Sequence, residues 1–111
     1  MPTQDNNSVR LVGRISQLPE ERQLPSGDTV CTFRVIVPRP GGHASRQTVD
    51  ALECAAWTAR ARRTAATWAP DDVVEVTGAL RRRFFRTGGG PASRVEVEVS
   101  SVRTVRRAAN A

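Results

Sequence analysis

Apolar and polar side chains alternate in five segments of the chain, and this period of two predicts β-strands that bury one face. In the second segment, for example, Cys31, Phe33 and Val35 fall in one phase. In the first segment, Gly13 predicts a bend or a bulge. The five predicted strands cover residues 9–16, 30–37, 49–57, 71–85 and 93–105.

The last two predicted strands are joined by a glycine-rich turn. In the fifth strand, Val95, Val97 and Val99 are predicted to face inward, and the charged residues between them outward. The turn at 87–91 contains three glycines, which indicates the tip of a hairpin.

The period changes between the third and fourth strands. Ala61, Ala65 and Trp68 fall at helical spacing, and Thr58 is a suitable N-cap. Pro70 ends the pattern, because proline disfavours helical backbone in the residue before it. The segment therefore predicts one short helix, with Trp68 in the core.

The order β-β-β-α-β-β favours an all-β fold: a five-stranded, antiparallel Greek-key barrel of the OB-fold type. One short helix lies between strands 3 and 4, and the hairpin of strands 4 and 5 protrudes. The 111 residues suffice for one domain. We expect that domain at 9–105, with a disordered N-terminus at 1–8 and a short basic tail without structure at 106–111.

The net charge of +6 makes a polyanionic partner plausible, although arginine supplies all of the basic character and could reflect composition alone. No apolar stretch is long enough to span a membrane, and the N-terminus does not resemble a signal peptide. These features favour the cytoplasm and predict no membrane partner. Cys31 and Cys54 are then expected to be buried free thiols, with a cross-strand disulfide as a remote alternative.

Catalysis has little support in the sequence. The one histidine, His43, lies in a loop rich in glycine and proline, and no nucleophile is paired with it. Asp71 and Asp72 lie between the helix and a strand, where turn residues are expected. We predict a protein that is not an enzyme and needs no cofactor or metal.

Nucleic-acid binding fits better, because residues 81–86 read RRRFFR. Guanidinium groups bind phosphates, and flat rings stack on bases that are already unpaired, which favours a single strand. Alternatively, Phe84 or Phe85 plugs the barrel or a subunit interface, and we expect one of the two rings to do so. Arg81, Arg83 and Phe85 share one phase of the strand, and Arg82, Phe84 and Arg86 share the other.

Trp57 is a second candidate for stacking. It is out of phase with the core position Cys54, and it shares its face with Ala51 and Ala55, which leave room for a base. The alternative is that Trp57 covers the barrel mouth or the helix. Further candidates for phosphate contacts are Arg34 and Arg14, which could equally be solvated charges, and the loop residues Arg39 and Arg46.

Several stretches resemble the bacterial single-stranded DNA-binding protein family in order and spacing over about residues 7–105. They read NSVRLVGRI, LPSGDTVCTFRVIV, ALECAAWTARARRTAATWAPDDVVEVTGALRRRFF and VEVEV. The resemblance implies an OB-fold, usually four OB domains per assembly, and sequence-tolerant binding of single-stranded DNA. It also implies that Trp57 and Phe85 stack on bases, and that Arg81 and Arg83 are basic positions of the ribbon.

The chain departs from this family at several points. Ala51 stands where the family usually has tryptophan, and Glu53 stands where it tends to be basic. The family's long tail, which ends in acidic residues and recruits repair and replication enzymes, has no counterpart. We expect a nucleoid-associated homotetramer in replication, repair or recombination that does not recruit proteins through such a tail. The alternative is a primosomal-type adaptor, dimeric, that binds DNA and replication proteins.

Overall fold

The structure is a computed structural model that describes residues 4–41 and 46–109. The alternating segments form strands, and the segment with helical spacing forms a helix capped by Thr58, whose side chain accepts a hydrogen bond from the Ala61 N–H. His43 lies outside the described residues. The elements are β1 (Val9–Ile15), β2 (Glu20–Gln23), β3 (Thr29–Pro38), β4 (Val49–Ala56), α1 (Ala59–Ala65), β5 (Val73–Thr87) and β6 (Gly90–Arg106).

The sheet closes on itself through β1. Its strand order is β1-β5-β6-β4-β3-β2, and β1 pairs with β3 as well as with β5. A Cβ on Gly13 would lie 2.2 Å from the Ile36 carbonyl oxygen, so only glycine allows the two strands to meet this closely. The register of β1 with β5 is unbroken through Gly13, so the predicted bulge is wrong and the glycine serves closure instead.

The structure corrects two further predictions about the sheet. It has six strands rather than five, because Glu20–Gln23 pairs with β3 across a turn at Gly27, whose φ is 95°. All four side chains of β2 are exposed, so the strand has no apolar phase to predict it. The pairing of β4 with β6 is parallel, not antiparallel, and it closes the barrel between non-consecutive strands.

The core lies inside the barrel and includes the helix-spaced residues. Trp68 is buried as predicted, packs edge-on against Phe33 with ring centroids 5.1 Å apart, and donates through Nε1 to Thr104 Oγ1 at 2.8 Å. Cys31 and Cys54 are buried free thiols, as predicted. Burial raises the pKa of Cys54 to about 12, which keeps the thiol protonated and unreactive.

The paired strands β5 and β6 extend past the barrel as a hairpin. A Cβ on Gly78 would lie 2.0 Å from the Glu98 carbonyl oxygen, and the β5–β6 register shifts between Thr77 and Gly78. Beyond this point Val95 is 49% exposed, so the prediction that it faces inward is wrong. Its phase continues that of Val97 and Val99, but the barrel has ended.

Both ends of the chain make contacts that the sequence did not predict. The Asn7 side chain donates to the Leu80 carbonyl at 2.8 Å and accepts from its N–H at 2.9 Å. Asn7, which lies in the segment 1–8 that was expected to be disordered, is thus paired with β5. At the other end, Arg107 and the N–H of Ala108 both bind Asp72, although no structure was predicted for 106–111.

Candidate nucleic-acid interface

Two aromatic rings line one concavity on the outer face of the barrel. Trp57 follows β4 directly and is half-buried, and Phe85 lies on β5 with 42% of its surface exposed. The concavity has a volume of about 380 Å³, and its floor includes the small or short side chains of Ala55 and Thr32. We call it the stacking groove, because it offers flat apolar surface beside open space.

Each ring has a guanidinium over it. The Arg83 guanidinium carbon lies 5.5 Å from the centroid of the Trp57 ring, and that of Arg94 lies 5.7 Å from the Phe85 ring. Such cation–π contacts hold flat charged groups beside flat rings. The Trp57 Nε1 atom is buried and has no hydrogen-bond partner among the residues that the structure describes.

The stacking groove continues into a second concavity at each end. At one end Trp57 also lines a concavity of about 370 Å³ that contains Asn7 and Arg81. At the other end Arg22 and Arg94 also line a concavity of about 670 Å³ that contains Arg34. The three adjoin one another through these shared lining residues and together reach from β5 and β6 across β4 to β3 and β2; we call them the path.

Carboxylates neutralise several arginines along this path. Arg34 Nη2 lies 2.6 Å from Glu53, and Arg83 lies 3.0 Å from both Glu96 and Glu98. Arg81 Nε lies 3.4 Å from the same Glu98 oxygen. The face is therefore less positive than its arginines alone indicate. These pairs depend on the register of neighbouring strands, so the linear sequence gave no signal for them.

The structure brings together five of the predicted site residues and separates the others from the path. Phe84 is 78% exposed on the opposite face of the hairpin and Phe85 is 42% exposed, so neither ring plugs the barrel of this chain. The other form of that expectation, a ring in a subunit interface, stays a prediction. Arg86 and Arg46 are exposed, and Arg46 borders the undescribed residues 42–45. The residues that line the path are Trp57, Phe85, Arg34, Arg81 and Arg83.

Two of the predicted arginines pair with carboxylates away from the path. Arg14 Nε lies 3.7 Å from Asp71, and Arg39 Nη2 lies 2.7 Å from Asp50. The hydrogen bond from Arg39 lowers the pKa of Asp50. Two residues that sequence reasoning did not select, Arg22 and Arg94, do line the path. Arg94 lies within the fifth predicted strand, at 93–105, so its position could have been noticed, but Arg22 lies on β2, which is not among the five predicted strands.

The acidic pair before β5 has a structural role. The Asp72 carboxylate is buried and accepts hydrogen bonds from the backbone N–H groups of Ala108 at 2.7 Å and Ala69 at 2.9 Å. These bonds, led by that from Ala108, lower its pKa. Within 4–41 and 46–109, no group of three or more His, Cys, Asp or Glu side chains could hold a metal ion. In the same part of the chain, no helix has the length and apolar character that crossing a membrane requires.

A family model described as the single-strand binding protein family matches residues 6–105. The chain belongs to that family. The single-stranded DNA-binding protein A of Bacillus subtilis is 33% identical over 98 residues, which are 86% of this chain and 57% of that protein. The single-stranded DNA-binding protein of Mycolicibacterium smegmatis is 33% identical over 103 residues, 87% of this chain and 62% of the relative.

The chain itself spans about half to three fifths of the length of these relatives. For the single-stranded DNA-binding protein 3 of Listeria innocua, with 32% identity over 85 residues, the covered share is 53%. Among solved structures, the Plasmodium falciparum SSB in complex with ssDNA has a TM-score of 0.78 at 19% identity, covering 95% of this chain and 99% of that one. That similarity supports the OB-fold assignment.

Proposed function

We propose that this protein binds single-stranded DNA without sequence preference, as a non-enzymatic factor in replication, repair or recombination. The observation that carries the proposal is that Trp57 and Phe85 line one open groove, each with a guanidinium over its ring. The family assignment and the names of the relatives support it. We place the protein in the cytoplasm, with the nucleoid, where unpaired strands arise.

The groove would distinguish a single strand from a duplex by the exposure of base faces, without contacts to the edges of the bases. Every base has a flat face, so stacking on Trp57 and Phe85 tolerates any sequence, and each stacked base contributes about 1–3 kcal/mol. In a duplex the bases are stacked on one another, so their faces are not available to these rings. Phosphates of the same strand then lie near Arg34, Arg81 and Arg83, which share the path with the rings.

The proposal is tested by titrating an oligo-dT strand at two salt concentrations, with a duplex of equal length as control. Binding to the single strand should weaken as salt rises, because neutralised phosphates release counterions. The single strand should bind more tightly than the duplex at both concentrations. Equal affinity for the two would exclude stacking as the basis of recognition.

We propose a homotetramer as the working assembly. The barrel and hairpin expose apolar side chains that an assembly could cover, among them Val12, Leu80 and Phe84. The second candidate is a dimeric adaptor of primosomal type that binds replication proteins as well as DNA. The neutralisation of Arg34 and Arg83 by carboxylates favours it, since a neutral face suits a protein partner. The molar mass in solution, measured by light scattering, separates tetramer from dimer.

A further inference from the structure

We propose that Arg22 and Arg94 form a phosphate-binding site where the stacking groove meets the concavity beside β2. The site takes a phosphodiester of the bound strand, so the inference rests on the proposed function and deepens it. It differs from the sequence expectation, which selected neither residue and placed the basic contacts on Arg14, Arg34, Arg39, Arg46, Arg81, Arg83 and Arg86.

The position of the two arginines is the first argument. Both line the 380 Å³ stacking groove and the 670 Å³ concavity, so they flank the passage between the two. They come from β2 and β6, which are not neighbours in the sheet. A strand that leaves Phe85 toward β2 has to pass them.

The second argument is that Arg22 and Arg94 form no ion pairs. In the described part of the chain, no carboxylate lies within 4 Å of either guanidinium, whereas Arg34 and Arg81 each have one and Arg83 has two. A phosphate that approaches a paired arginine also meets the negative charge of its partner. No paired carboxylate repels it at Arg22 and Arg94, so these two side chains should neutralise phosphate most effectively.

The acids around the passage do not cancel this advantage. Glu96 lines the same two concavities, but it is only 8% exposed and Arg83 binds it at 3.0 Å. Glu21 lines the outer concavity, where Arg62 lies 3.6 Å from it. Glu20 also lines the outer concavity but not the stacking groove.

The contact between Arg94 and Phe85 is the third argument. The guanidinium lies over one face of the ring, so its N–H donors are held close to Phe85, and the opposite face is left for a base to stack on. A base on Phe85 and its own phosphate on Arg94 would then be bound by adjacent side chains. The two side chains would thus bind the base and the phosphate of one nucleotide.

The test measures the affinity of Arg22→Gln and Arg94→Gln for oligo-dT across a salt series. Each change should weaken binding about five- to tenfold near 50 mM salt and reduce the slope of log K against log salt by about 0.7. Arg106→Gln is the matched control. It removes an exposed arginine from the far end of β6, for which no acid partner is found in the described chain, and should leave the slope unchanged.

The outcomes separate the two proposals. If Phe85→Ala weakens binding while Arg22→Gln and Arg94→Gln behave like Arg106→Gln, the strand does not use this site and the inference fails alone. If both arginine variants lower affinity without changing the slope, they act through packing and the inference also fails. If the wild-type protein binds oligo-dT no better than duplex, the proposed function fails with it.

Discussion

The Arg83 guanidinium lies over the indole ring of Trp57, 5.5 Å from its centroid, while Glu96 and Glu98 each bind Arg83 at 3.0 Å. The backbone of Trp57 is held as well, because the Arg62 Nε donates to its carbonyl oxygen at 3.1 Å. An aromatic platform that is held before a base arrives loses less conformational entropy on binding. Trp57 is thus preorganised by residues from β5, β6 and α1.

We expect Trp57→Ala and Phe85→Ala each to weaken binding of oligo-dT, by about 1–3 kcal/mol per lost stacking contact. Fluorescence anisotropy with a labelled strand measures the change in dissociation constant. Phe84→Ala is the matched control, because Phe84 is the neighbouring ring but lies on the opposite face of the hairpin. Light scattering on the same samples checks that the substitution leaves the assembly unchanged. Equal losses in the Phe84 and Phe85 variants would show that the face of the hairpin does not matter.

The local parts of the fold could be predicted from the sequence. The predicted N-cap, Thr58, and the predicted buried residues Ala61, Ala65 and Trp68 are confirmed. The helix itself is shorter than its pattern, because it ends at Ala65 and Trp68 follows it. The strands with one apolar phase were predicted for the same reason, since their burial follows the period of two. Phe33 and Val35 on β3 are buried as their phase requires.

The features that the sequence did not predict depend on partners distant along the chain. Glu20–Gln23 is a strand only because β3 lies beside it, and Val95 is exposed because the barrel ends before it. The pairing of Arg34 with Glu53 follows from their opposite positions on β3 and β4. The rings of the candidate site were therefore selected from composition and phase, whereas the ion pairs of its arginines were not predicted.

We expect Glu98→Gln to tighten binding of oligo-dT about two- to fivefold, the range of a partly exposed ion pair, and to steepen its salt dependence. The Glu98 carboxylate bridges Arg81 and Arg83, so its removal frees Arg81 and leaves Arg83 paired with Glu96 alone. The same titration across salt concentrations measures both effects.

Glu75→Gln is the control for that substitution. Glu75 also bridges two arginines, Arg10 at 2.6 Å and Arg103 at 3.4 Å, but it does not line the path. Both variants change the net charge by the same amount. Weaker binding by Glu98→Gln would indicate that the carboxylate orders the arginines for DNA rather than competing with it.

We expect Gly13→Ala to lower the free energy of unfolding by about 1–3 kcal/mol, as overpacking does. The added Cβ would lie 2.2 Å from the Ile36 carbonyl oxygen and 2.9 Å from Val35 Cγ1, so β1 and β3 would have to separate where the barrel closes. Urea denaturation measures the change. Gly88→Ala is the control, because a Cβ there would meet nothing within 4 Å, and an equal loss in both would contradict the role of closure.

We expect Asp72→Asn to lower the free energy of unfolding by about 2–3 kcal/mol at neutral pH, because a buried carboxylate that binds the Ala108 N–H, the Ala69 N–H and Arg107 loses its charge. The bonds from these backbone N–H groups lower the pKa of Asp72 below that of the unfolded chain. The stabilisation is therefore complete above the unfolded value of about 4 and is lost as pH falls through the lower folded value. The difference between wild type and variant, followed by urea denaturation from pH 7 downward, should shrink on acidification.

Asp71→Asn is the control, because it changes an exposed carboxylate 3.7 Å from Arg14 and should alter stability little at any pH. A difference for Asp72→Asn that stayed constant from pH 7 to below pH 3 would show that the lost interactions do not depend on the charge of the carboxylate.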